Sequence, residues 1–285
     1  MPTQLVVDGD ELLFIDRFGQ EPVVGLDRHT GKIEWTFGEK GEGPGEFMTP
    51  ISLLPFGTRI AVLDAALNRV TWLVPSSGVD GLAFLNSTRL RVASAATGLS
   101  MTPDGRFLVA GSFESRKLAY VNLDGRFLEH AGAPLTVARL PPKQHSELFQ
   151  GSLRPGLMGQ RHVATGRFSS RIDIVDIRED EPDVYWGPEE FQPHAGRYET
   201  RFGYLDSAPM SDGFLALYSG RTRDEYPGRA NYAEFVHEFT WDGELRAVHQ
   251  LDADVITIAW SEPDRKLYAV RHDPEPAILE YSLPN

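Results

Sequence analysis

The sequence predicts an all-β fold, a six-bladed β-propeller with four-stranded antiparallel blades, the last either three-stranded or completed by residues before Met1, and three observations predict it. Short apolar runs of alternating polarity, bounded by Asp-Gly, Pro-Asp-Gly or Ser-Gly turns, recur about every 8–12 residues. The runs group in fours, and six groups in 285 residues average about 47 residues, the period of one blade. No stretch of about twelve residues carries the roughly 3.6-residue period of an amphipathic helix. A sandwich would share the short strands but not a grouping into fours with long connections only between groups. The chain, 1–285, therefore reads as one domain.

The units follow in order. The first has runs at 12–16, 22–27 and 32–37, behind a strand-like opening after Met1. The second has 51–54, 59–64, 69–74 and 81–85. The third has 98–101, 107–110, 117–121 and 127–130, with turns at Pro103-Asp104-Gly105 and Asp124-Gly125. The fourth shows 161–164, 171–177 and 183–186, with a first strand somewhere before Gly159. The fifth has 204–210, 213–218, 234–239 and 244–248, and the sixth only 255–260, 266–270 and 277–281. A closed ring usually borrows a strand from the other terminus, so that no edge stays unpaired. This chain opens too late to supply one, so the last blade is three-stranded or residues precede Met1.

Composition narrows the function. A formal charge of −13 opposes general nucleic-acid binding, which needs basic surface to neutralise phosphates. The absence of cysteine removes disulfides, thiolate nucleophiles and cysteine-based metal sites. No apolar run approaches the roughly 20 residues that span a bilayer. The start carries no basic and apolar leader, so the expected location is cytoplasmic, or periplasmic or extracellular if a signal has been removed.

The segment Gly38-Glu39-Lys40-Gly41-Glu42-Gly43-Pro44-Gly45-Glu46-Phe47-Met48-Thr49-Pro50, followed by Ile60-Ala61-Val62-Leu63-Asp64 and Asn68-Arg69-Val70, resembles the repeat of NHL-type propellers. More closely it resembles the bacterial six-bladed, TolB-like family, as do Leu267-Tyr268-Ala269-Val270 and Glu275-Pro276-Ala277-Ile278. The glycines suit a tight interblade crossing at positive φ, with Phe47 packed between blades. The resemblance implies an exported bacterial protein. Related propellers include calcium-dependent lactonases and a magnesium-dependent lyase, but their ligand sets match no residues here.

In a propeller, the connections from strand 2 to strand 3 and from blade to blade emerge on one face. That face receives the long segments 39–50, 86–98, 132–156, 187–203 and 219–232, whereas the other has tight turns such as Asp8-Gly9-Asp10 and Trp241-Asp242-Gly243. Loops of this length in a compact domain usually carry function. Arginine outnumbers lysine 23 to 5 and recurs near the end of strand 2 as Arg17, Arg69, Arg116, Arg167, Arg221 and Arg271. Such a ring would draw an anionic ligand, because the planar guanidinium fork matches carboxylate and phosphate. The structural alternative is blade-to-blade ion pairing with Asp16, Asp64 and Glu114.

Catalytic signatures are missing: there is no Gly-x-Ser-x-Gly elbow, phosphate-binding loop, His-Glu-x-x-His pair or dinucleotide fingerprint. His145, His194 and His272, with Glu147, Glu199 or Asp273, make a scattered candidate site, and Asp206 and Asp254 are candidate calcium ligands. The tryptophans Trp35, Trp72, Trp186, Trp241 and Trp260 read as packing between blades. Phe191, Tyr198, Phe202 and Tyr226 lie among Arg197, Arg201, Arg221, Arg223 and Arg229, a mixture suited to a carbohydrate or protein contact.

The expectation is a non-catalytic, monomeric binding propeller without a cofactor. Arg17, Arg116, Arg167, Arg201, Arg221, Tyr226 and Arg271 would contact a small anionic or carbohydrate-type ligand, or a protein partner. The alternative is a lactonase-like hydrolase or lyase with calcium or magnesium in the central channel.

Overall fold

The computed structural model describes residues 2–76, 81–113, 116–134, 148, 151–193 and 201–283. Four four-stranded antiparallel sheets come first. They are β1 (Pro2–Asp8), β2 (Glu11–Asp16), β3 (Val23–Asp27) and β4 (Ile33–Phe37); β7 (Pro50–Phe56), β8 (Arg59–Asp64), β9 (Arg69–Pro75) and β10 (Leu82–Arg89); β11 (Gly98–Met101), β12 (Phe107–Phe113), β13 (Arg116–Val121) and β14 (Phe127–Pro134); and β15 (Leu153–Pro155), β16 (Arg161–Thr165), β17 (Arg171–Asp176) and β18 (Asp183–Trp186). Between the first two lies a short parallel pair, β5 (Glu39–Lys40) and β6 (Glu46–Phe47).

The last sheet departs from expectation. It holds six strands in sequence order, β19 (Tyr204–Pro209), β20 (Gly213–Tyr218), β21 (Ala233–Thr240), β22 (Leu245–Ser261), β23 (Lys266–Arg271) and β24 (Ala277–Ser282), so five large sheets stand where six blades were expected. The cause is β22. Its first half pairs with β21, Val248 opposite His237, and its second half pairs with β23, Ala259 opposite Tyr268. Val255 pairs with Ala233 on one side and Arg271 on the other, after a register shift that separates it from Gln250, so a single strand serves both partners.

Burial explains which runs look apolar throughout and which alternate. Second and third strands such as β8 and β17 are covered on both faces and are almost wholly buried, whereas the outer strands β4 and β10 are largely exposed. β22 makes the same transition within one strand, from exposed positions near Leu245 to a buried stretch around Ile258.

The sheets pack through their apolar faces. Phe47, 2% exposed, sits between Leu13, Ile15 and Val23 of the first sheet and Leu53, Ile60 and Val62 of the second, as the repeat pattern implies. The crossing requires glycine at Gly38, whose φ is +93° and where a Cβ would lie 2.7 Å from the Phe47 ring. Asp64 fixes the same crossing by accepting the Met48 amide at 2.6 Å and the Thr49 amide at 3.0 Å. It serves the backbone rather than a neighbouring arginine, which corrects the ion-pair expectation; Glu114 lies outside the described residues. Trp72 stacks on Phe107 between the second and third sheets, with ring centroids 6.1 Å apart. Leu5 and Leu12 meet Tyr268 and Val270 where the first and last sheets close. Among the described residues, no helix is long and apolar enough to cross a membrane.

Candidate functional site

Six strands surround a central channel: β1, β7, β11, β15, β19 and β22 touch in that order, and β22 touches β1. Their first residues line one end, including Gln4, Ser52, Gly98, Ser152 and Asp206. Their later residues, including Val7, Pro55, Pro155, Pro209 and Trp260, line the other. All six therefore run the same way along the channel. The long connections 38–49, 90–97 and 219–232 consequently leave at the first end, and the short turns 9–10, 57–58, 210–212 and 262–265 at the second.

The loop-rich mouth holds a cavity of about 330 Å3. Arg17 enters it from the connection after β2, and Arg167 from the connection after β16. These belong to the first and fourth sheets, whose inner strands are three places apart by either route, so the two arginines stand on opposite walls. Among the described residues neither guanidinium has a hydrogen-bond or ion-pair partner. Both residues are exposed to solvent. Neighbouring protein atoms lower the pKa of Arg167, with Asp206 opposing the shift.

Arg154 and Asp206 lie deeper. Arg154 donates to both Asp206 oxygens, Nη2 at 2.9 and 2.8 Å and Nε at 3.1 Å, and both side chains are buried. Asp206 also accepts the Ser207 and Ile258 amides at 2.8 and 3.2 Å and the Thr257 hydroxyl, so one carboxylate ties together β15, β19 and β22. On the facing wall the Gln4 carboxamide donates to the Leu53 carbonyl and accepts the Leu53 amide.

The other nominated arginines are engaged elsewhere. Arg116 donates to the Gly132 carbonyl, which binds β13 to β14. Arg201 pairs with Glu189, donates to the Gly220 carbonyl at 2.9 Å and lies over Phe191. Arg221 pairs with Asp254 at 2.6 Å and lies 4.8 Å from the ring centre of Tyr226, which accounts for that aromatic neighbour. The bond to Asp254 raises its pKa. Arg271 donates to the Glu275 carbonyl of its own loop at 3.3 Å, and Arg69 holds the Glu42 and Glu46 carbonyls of the first crossing. The arginines do not form a ring. Arg69 and Arg116 open β9 and β13, Arg271 ends β23 and Arg17 lies in the connection after β2, so the side chains leave their sheets at several different points.

The carboxylates nominated for calcium, Asp206 and Asp254, are both bound to guanidinium groups. No group of three or more metal-ligating side chains occurs among the described residues. Asp273 pairs with Arg229 at 2.9 Å, while His145, Glu147, His194, Arg197, Tyr198 and Glu199 lie outside the described residues.

Sequence reasoning missed a buried lysine. Lys117 donates to the Ala164 and Thr165 carbonyls at 3.1 and 2.6 Å and lies 3.5 Å from Asp173, which Arg171 also pairs at 2.6 Å. Burial pulls its pKa down to about 8. Its only signal was a charged residue opening an apolar run.

No protein-family model matches the chain, and no curated protein matches it in sequence. Solved structures do match in fold. Hydrazine synthase of Kuenenia stuttgartiensis is 12% identical at a TM-score of 0.56, over 99% of this chain and 96% of that one. A putative exported protein of Bacteroides fragilis is 13% identical at 0.58, over 94% and 78%. The β-propeller domain of Myceliophteria thermophila Cps50 (Swd1) is 14% identical at 0.55, over 99% and 84%. At these identities the likeness is one of fold alone, and together with four-stranded sheets set around a channel it identifies the chain as a β-propeller.

Proposed function

We propose that this propeller is a binding module that takes a small anionic ligand in the channel mouth, between Arg17 and Arg167. One observation carries the reading: two guanidinium groups on opposite walls share a cavity, and among the described residues neither is bonded to a carboxylate, Asp206 being taken by Arg154. Both are open to solvent, and an oxyanion reaching between them would accept charge-assisted hydrogen bonds from each fork. Thr49, Ser52, Thr97 and Ser152 line the same cavity and supply hydroxyls to orient the ligand. The acidic remainder of the protein would leave this mouth as a local positive feature, favouring anions over neutral sugars.

A divalent cation in the channel gains no support from the donor set, because its best oxygen ligands already neutralise arginines. We also propose that the last sheet works as a four-stranded and a three-stranded blade sharing β22. Six channel-lining strands support that count, and the Gly38–Pro50 pattern supports a TolB-like kinship.

The test is thermal unfolding with inorganic phosphate, citrate and acetate, in the native protein and in Arg17→Gln/Arg167→Gln. Anions should raise Tm only in the native protein. An equal rise in both would place the anion elsewhere.

A further inference from the structure

Below the mouth lies a second cavity of about 310 Å3, and both are lined by Gln4, Leu153 and Arg154. The void thus continues along the channel axis past a polar waist. That waist makes no demand on a ligand. Both Asp206 oxygens are filled by Arg154 and by groups of β19 and β22, and Gln4 is paired in both directions with the Leu53 backbone. Beyond it the walls are apolar, including Leu5, Val7, Leu54, Leu99, Pro209 and Trp260. Two polar side chains there are served too: the Trp260 indole donates to Glu262 at 2.7 Å, and Ser207 and Ser152 share a hydrogen bond of 2.9 Å. Guanidinium groups without a partner among the described residues thus lie at the mouth, and apolar surface lies at the far end.

We infer that the channel binds a single-chain amphiphile, with its oxyanion head between Arg17 and Arg167 and its apolar tail drawn through the waist into the lower cavity. This rests on the anion-binding reading above and extends it from the head group to the body of the ligand. A short anion would leave the lower walls against water. An alkyl chain removes that surface at the usual gain for a buried methylene. The ligand class is therefore a straight-chain carboxylate or alkyl phosphate.

The test is calorimetric titration with acetate, butyrate, hexanoate, octanoate and decanoate below their micelle concentrations, with decyl phosphate and decanol as further arms. Affinity should rise by up to about fourfold per added methylene and then level off when the lower cavity is full. Decyl phosphate against decanoate shows which head is preferred. Decanol, and decanoate with Arg17→Gln/Arg167→Gln, should bind at least tenfold more weakly. Val7→Asn should flatten the chain-length dependence while leaving acetate unchanged. Binding of phosphate or acetate with no dependence on chain length would overturn the amphiphile and leave the anion site standing. Absence of binding by every anion would overturn both. Equal binding of decanol and decanoate would overturn the head-group assignment.

Discussion

Arg154 and Asp206 form a buried two-pronged ion pair, 2.8 Å at its closest, that joins the inner strands of the fourth and fifth sheets. The pair closes a gap between strands 52 residues apart in sequence, and no main-chain ladder crosses that gap. Removing one partner strands the other charge in a place that water reaches poorly. Asp206→Ala should therefore cost about 3–5 kcal/mol in urea unfolding, while Arg154→Met with Asp206→Leu should recover much of that loss. A cost below about 1 kcal/mol for the single variant would deny the pair its role.

Acid should weaken the fold before the carboxylates titrate. Burial lowers the pKa of His162, held by the Ser100 hydroxyl at 2.8 Å, and of His237, held by the Tyr204 hydroxyl at 3.0 Å, from 6.5 to about 4. The unfolded chain therefore binds more protons between those values, so stability is complete above pH 6.5 and falls as pH drops toward 4. The loss should be on the order of 2–3 kcal/mol for each ring. Urea midpoints at pH about 7.5 and about 4.5 measure it, and His162→Asn should remove part of the slope.

Lys117 should act at the opposite end of the scale. Its folded pKa of about 8 lies below the ordinary 10.5, so between these values the unfolded state again holds the extra proton. Stability should rise from pH about 8 to about 9.5 in the native protein and stay flat in Lys117→Met. Parallel slopes in the two proteins would show the lysine to be charged throughout.

Arg221 and the channel arginines should separate stability from binding. Arg221→Gln leaves the partly buried Asp254 short of a charged hydrogen bond and should cost about 1.5–3 kcal/mol, with ligand response at the mouth unchanged. Arg17→Gln/Arg167→Gln should hold stability within about 0.5 kcal/mol and abolish the response. Reversal of that pattern would move the site to the outer loops.

Much of the fold was legible because turn chemistry and polarity agree. The third unit matches β11 to β14 almost strand for strand, since Asp124-Gly125 demands glycine twice: φ is +80° at Gly125, and any Cβ there would run into the Arg89 carbonyl. The run at 81–85 was too short because β10 continues through polar Asn86, Ser87 and Thr88 on an exposed edge, where no apolar periodicity reports it. The boundary between the fifth and sixth units is missing at 249–254, which has neither glycine nor proline to end β22. The site was half legible. Arg17 and Arg167 were visible as arginines near strand ends, but nothing linear distinguishes them from Arg116 or Arg221. Which guanidinium lacks a partner among the described residues depends on groups brought in from other sheets, and the Arg154–Asp206 contact has no sequence trace at all.

The unbroken course of β22 has a mechanical consequence. Elsewhere a loop separates the rim of one sheet from the hub of the next and can absorb small rotations; here one continuous strand, irregular only around Val255, carries them. Breathing of the ring is thereby focused on the contact between β1 and β22, where the first and last sheets meet without a shared ladder. Amides along that seam should be the earliest to exchange with deuterium, and cargo too bulky for the mouth would gain entry there.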